Sequence, residues 1–252
     1  MNISVKHSPP LRAALAVFLA LSGAAALRAG PPFFTDDPEP VETGRWEFYT
    51  ASSISRAKSG TSGTLPHFEA NYGAFSGTQL HMIAPAAFNS AEGGPKTYGY
   101  GDTELGVKYR FIRETLRRPQ FGTFVQVELP TGDKGRGLGG GRARLLLPLY
   151  FQKSWVPWTT YGGAGWWLNP GTGNRNWTFA GWLVQRDLGR ALTLGTEVFR
   201  RTPDTDGGRP ATGFNAGGQV NFNIRDHLLF SAGRDLSGPV RLSSYLAYQL
   251  TF

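Results

Sequence analysis

His67, Glu69 and His81 are the residues whose types suit proton chemistry, and they lie close together in the chain. An imidazole titrates near neutral pH and a carboxylate can hold it in place, so the trio suits general acid/base work or a weak metal site. The hydroxyl nucleophile that such a base would activate is not evident beside them on the same face. A hydrogen-bonded polar wall is therefore the preferred role. A second group is charged and more dispersed: Glu104, Lys108 and Arg110, then Glu128, then Arg241 with Tyr245 nearby. Cations interleaved with aromatics in this way would attract anionic or aromatic solutes by Coulomb and cation–π forces. Neither group supplies a predicted catalytic residue, metal centre or cofactor site.

Both groups sit at alternate positions of segments whose other positions are apolar. Residues 65–72 and 78–84 flank a tight connection at 73–77. Setting Glu69 opposite His81 places Phe68 opposite Met82 and Ala70 opposite Leu80, and gathers His67, Glu69, Asn71, Gln79 and His81 on the other face. In 102–111, Leu105, Val107, Tyr109 and Phe111 alternate with Glu104, Lys108 and Arg110; in 121–129, Val125, Val127 and Leu129 oppose Gln126 and Glu128. Residues 240–252 repeat the pattern, with Val240, Leu242, Leu246, Tyr248, Leu250 and Phe252 on one parity and Arg241, Ser243, Tyr245, Gln249 and Thr251 on the other. Period two with one greasy and one polar face is the mark of a half-buried strand.

About twelve such strands can be counted between residues 44 and 252, an even number. Longer connections at 55–64, 85–98, 130–142, 169–175 and 202–212 fall on one side, and short ones around Gly73, Trp155, Asp187 and Arg225 on the other. Trp166, Trp167 and Trp177 bracket one long loop, and Trp155 and Trp158 one short turn, where interfacial girdles would sit. These features predict an all-β, transmembrane, antiparallel up-and-down barrel with its apolar parity on lipid. Strand count and closure disfavour a soluble β-sandwich. Twelve strands enclose more than a filled eight-stranded barrel and less than a sixteen-stranded porin, so a narrow, partly plugged lumen is expected. Phe124, Tyr150, Phe199 and Tyr245 share its inward parity with the charged groups.

At the other end, Lys6 and Arg12 precede an apolar run over 13–27, and small residues surround Ala26 and Ala29. This predicts a secretory signal peptide at 1–29, cleaved near Ala29, because the run falls short of the roughly 18 to 20 apolar residues that span a bilayer. Residues 30–43 hold Pro31, Pro32, Pro38 and Pro40 with Asp36, Asp37 and Glu39, a mixture that forms neither helix nor ladder. An irregular arm is expected there, in the periplasm or in the barrel mouth, with Phe33, Phe34, Thr35, Asp36 and Asp37 as plug candidates.

Composition narrows the partners. The chain has no cysteine, which removes disulfides and thiolate metal sites. The formal charge is +8; setting aside Lys6, Arg12 and Arg28 of the leader leaves 23 basic against 18 acidic residues, or +5. That balance suits a surface facing lipopolysaccharide and other outer-membrane lipid. Nucleic acid is excluded as a partner, since the arginines are scattered and form no binding motif. Gly135-Arg136-Gly137-Leu138-Gly139-Gly140 fits a dinucleotide fingerprint, but no helix follows it, so a flexible outer loop is the better reading.

Three runs carry a family resemblance. They are Pro31-Pro32-Phe33-Phe34-Thr35-Asp36-Asp37-Pro38-Glu39-Pro40-Val41-Glu42 before Trp46-Glu47-Phe48-Tyr49, the stretch from Gly101-Asp102-Thr103-Glu104 to Phe111, and Glu128-Leu129-Pro130-Thr131-Gly132. Together they resemble the bacterial outer-membrane β-barrel family named for the meta-cleavage (MetA) pathway of phenol degradation. The resemblance implies a transporter of small, often aromatic, compounds and brings no catalytic residues. The expected function is a passive channel for small aromatic or anionic solutes, with Lys108, Arg110 and Arg241 as attracting groups. Alternatives are an outer-membrane enzyme acting on lipid or lipopolysaccharide with His67 or His81 as base, and a structural barrel with a filled lumen. Tyr248, Leu250 and Phe252 are the expected C-terminal signal for the outer-membrane assembly machinery.

Overall fold

A computed structural model describes residues 32–252; the predicted signal peptide lies outside the described residues. Thirteen strands follow one another: β1 (Trp46–Ala57), β2 (Gly60–Phe75), β3 (Thr78–Ala91), β4 (Lys96–Tyr100), β5 (Thr103–Ile112), β6 (Gln120–Leu129), β7 (Arg144–Trp155), β8 (Trp158–Leu168), β9 (Trp177–Asp187), β10 (Leu192–Arg201), β11 (Ala211–Asn221), β12 (Asp226–Ser237) and β13 (Val240–Thr251). Every pairing between them is antiparallel, and β13 bonds to both β12 and β1 while β2 bonds to β3. The sheet is thus closed, with no unpaired edge.

β4 and β5 both pair with β3, β4 along Ala86–Ser90 and β5 along Thr78–Ile83. They are one strand position broken at Gly101 and Asp102, so twelve positions circle the lumen. Parity decides which way each side chain points. Phe68, Leu80, Met82, Val107, Leu149, Trp182, Val198 and Leu246 are exposed on the outer wall, whereas Glu69, Asn71, Gln79, His81, Lys108, Glu197 and Gln249 are buried inside. An apolar exterior around a polar interior is the arrangement a transmembrane barrel requires.

Three expectations need correcting. Residues 55–64 are not a loop: β1 and β2 continue to a hairpin at Lys58 and Ser59. Likewise β3 runs on to Ala91, beyond the point where its apolar alternation ends. Strands that project past the hydrocarbon are wet on both faces, so their ladder persists while the polarity signal disappears. Within the β2–β3 hairpin, Glu69 faces Ile83 and Asn71 faces His81, a slip of two from the predicted register. The hairpin turns at Ser76 and Gly77, later than predicted, and an even slip leaves every side chain on its predicted face. Finally, Trp167 and Trp177 belong to the lumen and not to a girdle: they stack on each other at 5.5 Å. Trp155, Trp158 and Trp166 do face outward, and Lys153 and Arg186 cover Trp155 and Trp158 at the inner end, the end where β1 starts and β13 finishes.

The wall is least tightly laddered between β6 and β7. Pairing breaks off between Gly122–Tyr150 and Gln126–Leu146, where Pro148 lacks an N–H to give. Thr123 Oγ1 donates to the Pro148 carbonyl at 2.7 Å across this gap.

Candidate functional site: a lumen entered from both ends

The arm runs from the inner mouth up through the barrel. At its foot Thr43 bridges Gly73, and Gly44 N–H donates to the Gly73 carbonyl at 2.7 Å. Above it the Val41 N–H donates to Gln79 Oε1 at 2.9 Å. Arg110 then pairs with Glu39. Lys108 Nζ lies 2.9 Å from Asp36 and 3.7 Å from Asp37. Burial pushes the Asp37 carboxyl above its ordinary range, and the Lys108 ammonium pulls it the other way. Higher still, Glu197 accepts the Phe34 N–H at 2.7 Å and the Thr35 N–H at 2.8 Å, and Ser231 Oγ donates to the Pro32 carbonyl at 2.5 Å.

Proline makes this possible. A segment that cannot join a ladder leaves its few N–H groups for wall side chains, and the carboxylates of Glu197 and the amide of Gln79 take them. The wall makes room with glycine: a Cβ added at Gly181 would collide with Thr35 Oγ1, and one at Gly122 would come within 2.9 Å of Pro38. Thr35 and Asp37 are completely buried. Phe34 packs between Phe179 (5.6 Å) and Phe199 (5.0 Å), with the Arg201 guanidinium 5.6 Å from its ring, and remains partly open to the outer end. Phe33 reaches toward Gly195.

A second insert comes from the outer end. The 130–143 connection between β6 and β7 folds over the lumen instead of projecting freely. Its one helical piece is a single 3-10 turn at Lys134–Arg136, and Leu138 is buried. Asp102, at the break between β4 and β5, accepts the Gly132 N–H at 2.9 Å and the Gly140 N–H at 2.6 Å. The glycines of the apparent fingerprint serve close packing, since a Cβ at Gly139 would collide with Asp102.

Between the inserts and the wall, the described residues leave an inner and an outer space. An inner cavity of about 150 Å³ lies beside the arm, and an outer vestibule of about 540 Å³ lies beneath the loop. Ile83 and Glu104 line both. The β6 to β9 side of the lumen is filled by Phe124, Leu146, Tyr150, Trp167 and Phe179, packed together.

The predicted site residues now have places. Glu69, His81 and Glu104 come together: His81 Nε2 is 3.0 Å from Glu104, His81 Nδ1 is 2.6 Å from Asn71 Oδ1, and Asn71 donates to Glu69 at 2.7 Å. Both ring nitrogens of His81 are thereby engaged, which suits a structural network better than base chemistry. His67 stands apart in the vestibule with Nδ1 2.6 Å from Thr64 Oγ1, which in turn lies 3.0 Å from Ser53 Oγ. Glu128 pairs with Arg144, also in the vestibule. Lys108 and Arg110 face inward but are engaged by the arm. Arg241 lies at the outer rim, exposed, away from both. Tyr245 packs inside against the buried Tyr49, Ala51, Leu229 and Ala247. Tyr248 and Phe252 are exposed on the outer wall, Leu250 is half-buried, and the Phe252 amide and carbonyl bond to Trp46. Among the described residues no cluster of three or more His, Cys, Asp or Glu is arranged to hold a metal ion. Sequence reasoning missed Glu197, Gln79 and Asp102 as anchors; nothing local marks them, because their partners lie far away in the chain.

No protein-family model matches this chain, and no curated protein matches it. Solved structures do share its fold. A KdgM porin is similar at a TM-score of 0.58 and 10% identity, covering 82% of this chain and 99% of that one. A NanC porin is similar at a TM-score of 0.55 and 7% identity, covering 81% and 98%. At these identities the likeness concerns architecture alone: this chain has the twelve-position, porin-like β-barrel fold.

Proposed function

We propose that this protein is a passive outer-membrane channel for small solutes, narrowed by its own N-terminal arm. The observation that carries the reading is a pair of cavities left open in the lumen, one beside the arm and one beneath the outer loop, with Glu104 and Ile83 in the lining of both. A lumen that served only as a scaffold would be packed across its whole section, as the β6 to β9 side is. In this reading residues 1–29 are a cleaved leader, 30–43 the arm and 44–252 the barrel, with lipopolysaccharide around the outer rim. Tyr248, Leu250 and Phe252 are read by the assembly machinery. The sequence likeness to the phenol-degradation family supports small organic solutes as the cargo.

Solute entry into proteoliposomes carrying the refolded protein tests the reading. Small solutes are expected to enter faster than into protein-free vesicles, and faster again when Gly181→Val displaces the arm. Absence of entry for both proteins, with insertion confirmed, would leave the filled structural barrel.

A further inference from the structure

We infer that the docked arm makes this lumen selective for cations, and that the inner cavity accepts small organic ammonium ions. The inference rests on the channel reading for its transport arm and on the cavity alone for its binding arm.

The wall by itself is nearly balanced at this level. Glu47, Glu69 and Glu104 line the inner cavity, and Lys108, Arg110 and His81 stand against them, His81 directly on Glu104 and near Glu69. Docking changes that in two ways. It engages Lys108 with Asp36 and Asp37, and Arg110 with Glu39. It also adds Asp36, Glu39 and Glu42 to the lining, so six carboxyl groups share the space with Lys108 as the one lysine or arginine among the lining residues. With Arg110 included, and His81 counted as a cation because its two ring nitrogens face the Asn71 Oδ1 and Glu104 acceptors, six acids against three cations give a formal charge of −3, compared with 0 for the three wall acids and the same cations. Lys108 and Arg110 meanwhile turn their hydrogen bonds to the arm, so an anion entering the cavity finds no cation without a partner already in place.

The remaining chemistry fits an ammonium group. Gln219 and Gln249 line the space with amide oxygens that can accept from N–H donors, and the Tyr49 ring lines it too, while the Phe124 ring already holds the Lys108 ammonium at 4.9 Å. A space of about 150 Å³ corresponds to only a few waters, so the occupant has a handful of heavy atoms. Glu104 lines both cavities, so an ion moving from one to the other meets its carboxylate, which His81 (3.0 Å) and Gln126 (2.8 Å) hold in place through Oε1. Carboxylates ringing a water-filled constriction favour cations by the same electrostatics that rings of acid residues use in cation channels.

The test is the reversal potential of the protein in planar bilayers under a KCl gradient, repeated with methylammonium chloride. The expected result is a cation-to-anion permeability ratio above one, with methylammonium carried. Glu104→Gln, which leaves every arm contact in place, should lower the ratio several-fold. Asp36→Asn with Glu39→Gln should lower it further, because the arm's charge is removed and Lys108 and Arg110 are released. An anion-selective wild-type protein, or a ratio unmoved by these variants, would overturn the inference. If neither wild-type nor Gly181→Val protein conducts, the channel reading fails separately. Methylammonium titration of the detergent-folded protein then decides: binding weakened several-fold by Glu104→Gln sustains the cation site, and no binding overturns it.

Discussion

The two inserts that close the lumen are built on opposite plans. The arm is rich in proline and acid, and it is fastened at five heights by Gly73, Gln79, Lys108 with Arg110, Glu197 and Ser231. The outer loop is rich in glycine, and it is held around β4 and the β4–β5 break: Asp102 accepts two of its amides, Thr97 Oγ1 donates to the Arg136 carbonyl, Arg136 donates to the Tyr98 carbonyl, and Thr131 Oγ1 donates to the Gly101 carbonyl. Contacts spread over several strands fix a segment across the whole lumen, whereas contacts gathered on one strand position fasten it at one side of the wall. The arm therefore sets the shape and charge of the inner cavity, and the loop sets how much of the vestibule is covered.

Substitutions at the anchors separate these roles. The largest effect is expected for Glu197→Ala, which strips the acceptor from the buried Thr35 N–H, the partly buried Phe34 N–H and the Asn215 amide. A loss of about 3 to 5 kcal/mol is expected, read as a lower thermal midpoint of the folded barrel, together with faster solute entry. Gly181→Val attacks the arm from the wall side by colliding with Thr35. Its expected cost is about 1 to 3 kcal/mol, with the arm becoming accessible to protease while the barrel keeps its strand content by circular dichroism.

Asp102→Ala is the matching cut for the loop, with an expected cost of about 1 to 3 kcal/mol. Trypsin should then cleave after Lys134 or Arg136, while the arm stays protected. Joint release of arm and loop by either cut would show that the two inserts are coupled after all. The smallest effect is expected for Ser231→Ala, which removes one hydrogen bond at the arm tip and should cost about 0.5 to 1.5 kcal/mol without changing solute entry.

What could be read from sequence follows the same division. The wall was legible because its strands repeat one local rule, alternation, and because β5 and β13 carry it almost without interruption. The arm was legible as irregular from its four prolines, since proline acts on its own backbone. Legibility ended where a partner is distant. Nothing near Lys108 or Arg110 announces that Asp36 and Glu39 will engage them, so they read as cations open to solute. Gly181 resembles any strand glycine until Thr35 is placed against it. The length of β2 and β3 was hidden for a different reason: outside the apolar belt a strand keeps its hydrogen bonds and loses the pattern that identifies it.

The Phe34 and Thr35 amides find their acceptor in Glu197, more than 160 residues further along the chain. Contacts of that sequence separation form slowly, because the chain between them must be organised first. The arm also leans on β3, β5, β10 and β12 together, so its seat exists only once most of the sheet has been laid down. Docking is therefore a finishing step in the birth of the molecule, and a newly closed barrel passes through an interval in which its interior is wider and its two inner cations are bare.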